Sequence, residues 1–197
     1  DYDDIVDAAI IIITAGANQK PDETRLDLVH RNVEIYKSII PEIASRSFGG
    51  ILLIVSNPVD ILTYTFHKMS GLPHNHIIGS GTILDTARLR ARLAEYFNIN
   101  QSNVHAYVFG EHGDTSFAPW SLTTIAGMSM FDYYRSINRQ VNPEMLKQIE
   151  VDVRNAGAQV IAAKGATFYA IALSVKRICE CILRDSKTVM TVASMTD

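Results

Sequence analysis

The sequence predicts an α/β fold: the later part of an open parallel sheet, followed by an α+β region. Three observations carry this. Residues 9–55 read as strand, long helix, strand, the unit from which parallel sheets are built. Both strand runs are apolar at consecutive positions, as in strands covered on both faces. Between about residues 80 and 100 the character changes, and alternation in 104–109 points to a second, antiparallel sheet. The expected domains are residues 1–80, ending the parallel-sheet domain, and residues 81–197, a second domain that stops before its own end.

In chain order, Ala9-Ile-Ile-Ile-Ile-Thr14 is a β-branched run ending at Ala15-Gly16. A polar loop spans Asn18 to Glu23, and Leu26, Val29, Val33, Tyr36, Ile40 and Ile43 then recur at helical spacing to about Ser45. Ile51 to Val55 is the second strand, broken by Ser56-Asn57-Pro58. A helix follows to about Ser70 and is closed by Gly71 and Pro73. Ile77-Ile78 is a brief apolar segment before a helix from about Thr82 to Phe97. Asn142-Pro143 is a good N-cap and N1 pair for a helix running to Lys164, with Gly165 as its stop. A last helix is expected from Thr167 to Arg184, then a strand over Thr188 to Val192.

Bulk properties exclude several classes. A chain of 197 residues, 47% hydrophobic and 20% charged, can bury a core and is not disordered. A net charge of -3 gives a polyanion nothing to bind, so nucleic acid is not an expected partner. No uninterrupted apolar run is longer than Ala8 to Ile13, far short of a bilayer span, so no membrane is expected. Cys179 and Cys181 point about 200° apart on a helix and suit neither a disulfide nor chelation, so reduced thiols and a cytoplasmic setting are expected. The chain opens on Asp1, shows no signal-peptide pattern, and reads as a central portion of a longer protein.

Several constellations could carry chemistry. Val108-Phe-Gly-Glu-His-Gly-Asp-Thr-Ser-Phe117 sets His112 between Glu111 and Asp114 among two glycines. That pattern reads either as a surface turn or as a general acid/base held on a short loop. Asp85 and Arg88 share a helix face, as an exposed ion pair or as a working one. Arg90 lies about 200° around the helix from Arg88, so the two cannot serve one small site. In open α/β sheets ligands bind at the carboxyl ends of strands, here Thr14–Ala17 and Val55–Asn57. Gly16 there either admits a ligand closely or is a simple turn residue. Gly79-Ser-Gly81 has Leu84 where a dinucleotide fingerprint needs its third glycine; a pyrophosphate loop would therefore precede residue 1. His74 and His76 have no third ligand nearby, and no metal is expected.

Six short segments in order resemble the L-lactate dehydrogenase family: Thr14-Ala-Gly-Ala-Asn-Gln-Lys-Pro, Thr24-Arg-Leu-Asp-Leu-Val, Ser56-Asn-Pro-Val-Asp-Ile-Leu-Thr, Gly79-Ser-Gly-Thr-Ile-Leu-Asp-Thr-Ala-Arg, Gly110-Glu-His-Gly-Asp and Lys164-Gly-Ala-Thr. The resemblance covers essentially the whole chain. It implies a Rossmann-type parallel sheet, a catalytic domain, NAD as cofactor, and fermentative interconversion of pyruvate and L-lactate. Hydride delivery to a ketone leaves charge on oxygen, which demands a proton donor. By resemblance that donor is His112, oriented by Asp85, while Arg88 grips the substrate carboxylate and Arg25, on a closing loop, polarises the carbonyl. Asn57 would hold the substrate oxygen and Thr167 would line the pocket. Gln19 stands where malate dehydrogenases carry an arginine for a second carboxylate, which favours pyruvate over oxaloacetate.

Around the nicotinamide half of NAD, matching positions are Tyr2, Gly16, Ala17, Ser38, Val55, Asn57 and Ser80. Arg90 and His105 match the pair with which bacterial members of the family bind the activator fructose 1,6-bisphosphate at a subunit interface of a homotetramer. Two other readings stand beside this one. The chain could be a malate or other 2-hydroxyacid dehydrogenase, against which Gln19 argues, or a non-catalytic fragment without a pyrophosphate loop.

Overall fold

The computed structural model describes residues 1–18 and 24–196, which divide into two compact units, Asp1–Gly81 with residues from Val175 onward, and Thr82–Ser174. The sequence reading runs the second domain from 81 to 197; in the structure the last residues group instead with the first unit. One cause is a bridge in which Gly79 N–H donates to Ala193 O at 2.8 Å and Ala193 N–H donates to Gly79 O at 3.0 Å. A side chain at Gly79 would run into the Thr63 hydroxyl of α2 and also crowd Ala193 Cβ and Val59 Cγ2, each at 3.1 Å, so this close approach favours glycine.

The first unit holds a parallel sheet of β1 (Ile10–Ile13), β2 (Ile51–Ile54) and β3 (Ile77–Gly79), in that order. Ile13 pairs with Ile54, and Ile54 with Gly79. Parallel neighbours need crossover connections, and helices α1 (Arg25–Ala44) and α2 (Val59–Ser70) supply them. Thr24 caps α1 in a reciprocal box with Asp27, and the bonds from Thr24 hold the Asp27 carboxyl below its usual range. Tyr36, Ile40 and Ile43 of α1 and Leu62 and Phe66 of α2 bury their side chains with Leu52, Ile54 and Ile77. This is the apolar stripe that the helical spacing predicts.

The second unit is built on α3 (Ile83–Phe97), a small antiparallel sheet of β4 (Val104–His105), β5 (Thr124–Ile125) and β6 (Met128–Ser129), and helices α4 (Met130–Ser136) and α5 (Pro143–Lys164). Leu89, Leu93 and Phe97 of α3 pack with Val104, Ile125, Tyr134, Ile149 and Val153. Asn142 caps α5, accepting from Glu144 N–H at 3.1 Å and Met145 N–H at 3.3 Å, and Gly165 ends it at φ +84°. The last helix, α6 (Tyr169–Leu183), crosses the division between the units.

Two expected strands differ. Alternation over 104–109 predicts one strand, but β4 is only Val104–His105. Beyond it, side chains of α3 and of its N-cap residue Thr82 take the backbone groups that a ladder would have used. Arg90 Nε donates to Ala106 O at 2.8 Å, Thr82 Oγ1 donates to Val108 O at 2.5 Å, and Val108 N–H donates to Thr86 Oγ1 at 2.9 Å. The strand expected over 188–192 does not form; only the single Ala193 bridge lies in that region. Helix α4 and the β5–β6 hairpin, turned at Ala126 (φ +50°) and Gly127 (φ +82°), were not expected from the sequence.

Both cysteines are free thiols. Among the described residues no helix is long and apolar enough to cross a membrane, and no group of three His, Cys, Asp or Glu side chains could hold a metal.

Candidate active site

In the second unit, the sharpest chemical feature is built on one carboxylate. Asp85 lies in the first turn of α3 and is 5% exposed. Its Oδ2 meets His112 Nδ1 at 2.6 Å, across 27 positions of sequence. Its Oδ1 lies 3.5 Å from Arg88 Nη1, one helical turn further along. A buried carboxylate needs such partners, since an uncompensated charge there would be costly. The exposed i,i+3 ion pair that the sequence also allows is thus not what forms: Asp85 is buried and shared between a cation and an imidazole.

His112 is presented by a loop whose base is closed by Phe109 and Phe117, which exchange two backbone hydrogen bonds at 2.9 and 3.0 Å. Gly110 stands at φ +89°, a conformation that favours glycine. Glu111, next to His112, is engaged within the loop, where its Oε2 accepts from Thr115 Oγ1 at 2.9 Å. Thr82, at the N-cap of α3, and Thr86, within it, hold both backbone groups of Val108, and the same helix carries Asp85 and Arg88. The two arms of the His112–Asp85 contact are therefore joined by hydrogen bonds as well as by packing.

Arg90 turns elsewhere. Its guanidinium sits 5.2 Å above the Tyr107 ring and donates to Ala106 O, beside exposed His105. Arg88 and Arg90 thus contact different partners, in line with their angular separation. Thr167 is half-buried just before α6.

In the first unit, the carboxyl ends of β1 and β2 are stitched together by two polar side chains, of which the sequence reading missed Asn32 and named Ser56 without this role. Asn32 of α1, 0% exposed, accepts from Ala17 N–H at 2.7 Å and donates to Asn57 O at 2.8 Å. Ser56 Oγ donates to Ala15 O at 2.6 Å. A signal for Asn32 existed: it lies three residues after Val29 and four before Tyr36, a polar residue inside the apolar stripe. The turn Thr14–Gly16 is exposed, and at Gly16 a Cβ would crowd Ser56 Cβ at 3.3 Å. Exposed backbone over a glycine at the end of a parallel strand fits close approach by a nucleotide cofactor.

Of the other expected cofactor residues, Val55 N–H donates to Ile13 O at 2.9 Å and Ser80 N–H to Ile54 O at 2.8 Å, so both lie at the sheet's carboxyl edge. Tyr2 is engaged beneath the Arg46 guanidinium, 5.6 Å from its ring centre, and the Ser38 hydroxyl donates to Ile35 O at 2.7 Å. Gln19 and the side chain of Arg25 lie outside the described residues.

A parallel-sheet unit with open strand ends and an α+β unit with a histidine on a buried carboxylate place the chain in the class of two-unit α/β proteins. Within that class, residues 1–79 match the NAD binding domain of lactate/malate dehydrogenases, and residues 82–197 match the α/β C-terminal domain of the same proteins. The chain belongs to the lactate/malate dehydrogenase family.

Among curated relatives, L-lactate dehydrogenase 1 of Clostridium acetobutylicum is 51% identical over 197 residues, covering 100% of this chain and 63% of its own length. L-lactate dehydrogenase of Thermoanaerobacterium saccharolyticum is 51% identical over 194 residues, covering 98% of this chain and 62% of its own. Among solved structures, the ligand-bound minor L-lactate dehydrogenase of Enterococcus mundtii superposes with a TM-score of 0.94 at 40% identity, over 100% of this chain and 62% of that one. A lactate dehydrogenase from a deep-sea metagenome library gives 0.91 at 44% identity, over 96% of this chain and 60% of that one. The chain therefore spans less than two thirds of the length of these relatives.

Proposed function

We propose that the whole protein is an NAD-dependent L-lactate dehydrogenase, interconverting pyruvate and L-lactate in cytoplasmic fermentation. The observation that carries this reading is the 2.6 Å contact between His112 Nδ1 and buried Asp85, with Arg88 on the same carboxylate. When bound, NADH supplies the hydride that reduces the keto carbon. Charge then develops on the keto oxygen, and His112 delivers the proton that neutralises it. Since Nδ1 faces Asp85, the proton leaves from Nε2. Asp85 accepts the hydrogen bond from Nδ1 and so sets the tautomer and the orientation of the ring.

Arg88 takes the substrate carboxylate in a planar fork, which sets orientation as well as position. The remaining roles follow the family resemblance: Arg25 polarises the carbonyl, Asn57 holds the substrate oxygen and Thr167 lines the pocket. The cofactor is held at the strand ends by Gly16, Ala17, Val55, Asn57 and Ser80, with Tyr2 and Ser38 as further family positions. Neutral Gln19 leaves a second carboxylate uncompensated. Steady-state NADH oxidation is accordingly expected to be faster with pyruvate than with oxaloacetate; faster oxaloacetate turnover would make the enzyme a malate dehydrogenase.

The reading extends to regulation. Arg90 and His105 bind the phosphates of fructose 1,6-bisphosphate in a homotetramer, favouring the active assembly. The position of Arg90, over Tyr107 and away from Asp85, supports a role separate from catalysis. Arg90→Gln is expected to raise the activator concentration for half-maximal effect by about tenfold or more, as loss of a charge-assisted hydrogen bond implies, with the maximal rate unchanged. An activation curve that does not move would remove this role.

A further inference from the structure

The loop that carries His112 is held from a second side, by two residues of α5 that none of its motifs includes. In a two-stranded antiparallel pair, the groups of a hydrogen-bonded residue face its partner, and the flanking C=O and N–H point outward. Phe117 faces Phe109, so Ser116 O and Ala118 N–H are the outward pair. Both residues are buried, at 5% and 6% exposure, where unpaired backbone groups are costly. A third strand would normally take them. Here Arg154 Nη1 donates to Ser116 O at 2.8 Å, and Glu150 Oε1 accepts from Ala118 N–H at 3.1 Å. The two side chains are four apart on α5, hence on one face, and their chemistry matches one donor to a carbonyl and one acceptor to an amide. They line one recess with Leu89, Val108 and Phe117.

We propose that Glu150 and Arg154 are positioning residues for His112: acting as a side-chain strand, they fix the returning limb of its loop, as Thr82 and Thr86 fix the outgoing one. The proposal rests on the reading of His112 as proton donor. Without the clamp the loop base can shift, and His112 no longer meets the developing alkoxide at the required distance. Arg88 is carried by α3 rather than by the loop, so substrate binding is spared. The loss falls on turnover rather than on KM, because proton delivery is needed only in the transition state.

The test uses the whole enzyme with E150A, R154M, E150Q and R154K. Single-turnover NADH oxidation with pyruvate is expected to slow about ten- to hundredfold in E150A and R154M, the range for a small misplacement, with KM for pyruvate nearly unchanged. E150Q keeps a carbonyl oxygen for Ala118 N–H, and R154K keeps a donor for Ser116 O, so both recover most of the rate. Hydrogen exchange at the Ala118 amide quickens in E150A and is restored in E150Q. Wild-type rates in E150A and R154M, or slow rates that the conservative variants fail to restore, overturn the proposal. Inactivity of the wild-type enzyme toward pyruvate is a different result: it removes the proton-donor reading itself.

Discussion

His112→Gln is expected to slow pyruvate reduction by roughly 10³-fold, within the range for a positioned general acid, while NADH binding is nearly unaffected. Glutamine occupies similar volume and can still reach Asp85 with its amide, but it has no proton to give at neutral pH. NADH titration by fluorescence separates the two effects. Comparable losses of rate and cofactor affinity would point to a structural role for the histidine.

Asp85→Asn is expected to slow single-turnover hydride transfer by about 10²-fold, near 2.7 kcal/mol of barrier. The substitution keeps the shape and removes the charge of the carboxylate that His112 and Arg88 both contact. An asparagine can also present its NH₂ to Nδ1, which would reverse the tautomer that His112 needs. Because Arg88 loses its neighbour too, KM for pyruvate is expected to change as well, in contrast to His112→Gln. A rate within a factor of about three of wild type, well under one kcal/mol, would mean that the buried carboxylate serves packing alone.

Much of the fold was legible because local rules and tertiary demand agree. The apolar runs at 10–13 and 51–54 are strands, and the stripe through Tyr36, Ile40 and Ile43 is the buried face of α1. Asn142 and Gly165 bound α5 as their backbone chemistry requires. Reading failed where side chains from distant elements replaced a ladder. Nothing local to 106–108 says that Thr82, Thr86 and Arg90 will take its backbone groups. The same limit applies to the candidate site. The carboxylates beside His112 in sequence look like its partners, yet Glu111 bonds Thr115, and the carboxylate in contact with the imidazole comes from α3. Family resemblance pointed to Asp85; periodicity alone offered only an ion pair with Arg88. Glu150 and Arg154 looked like ordinary charges on an amphipathic helix, and only the geometry of the loop gives them partners.

That His112 and Asp85 act as one unit is tested most directly by a double-mutant cycle on single-turnover pyruvate reduction. Residues that work through one another are not additive. Once His112 is gone, Asp85 has no imidazole to orient, so H112Q/D85N is expected to be about as slow as H112Q alone. A double variant slower by the product of the two single effects, roughly 10⁵-fold by the estimates above, would show that the two residues contribute independently and contradict the account.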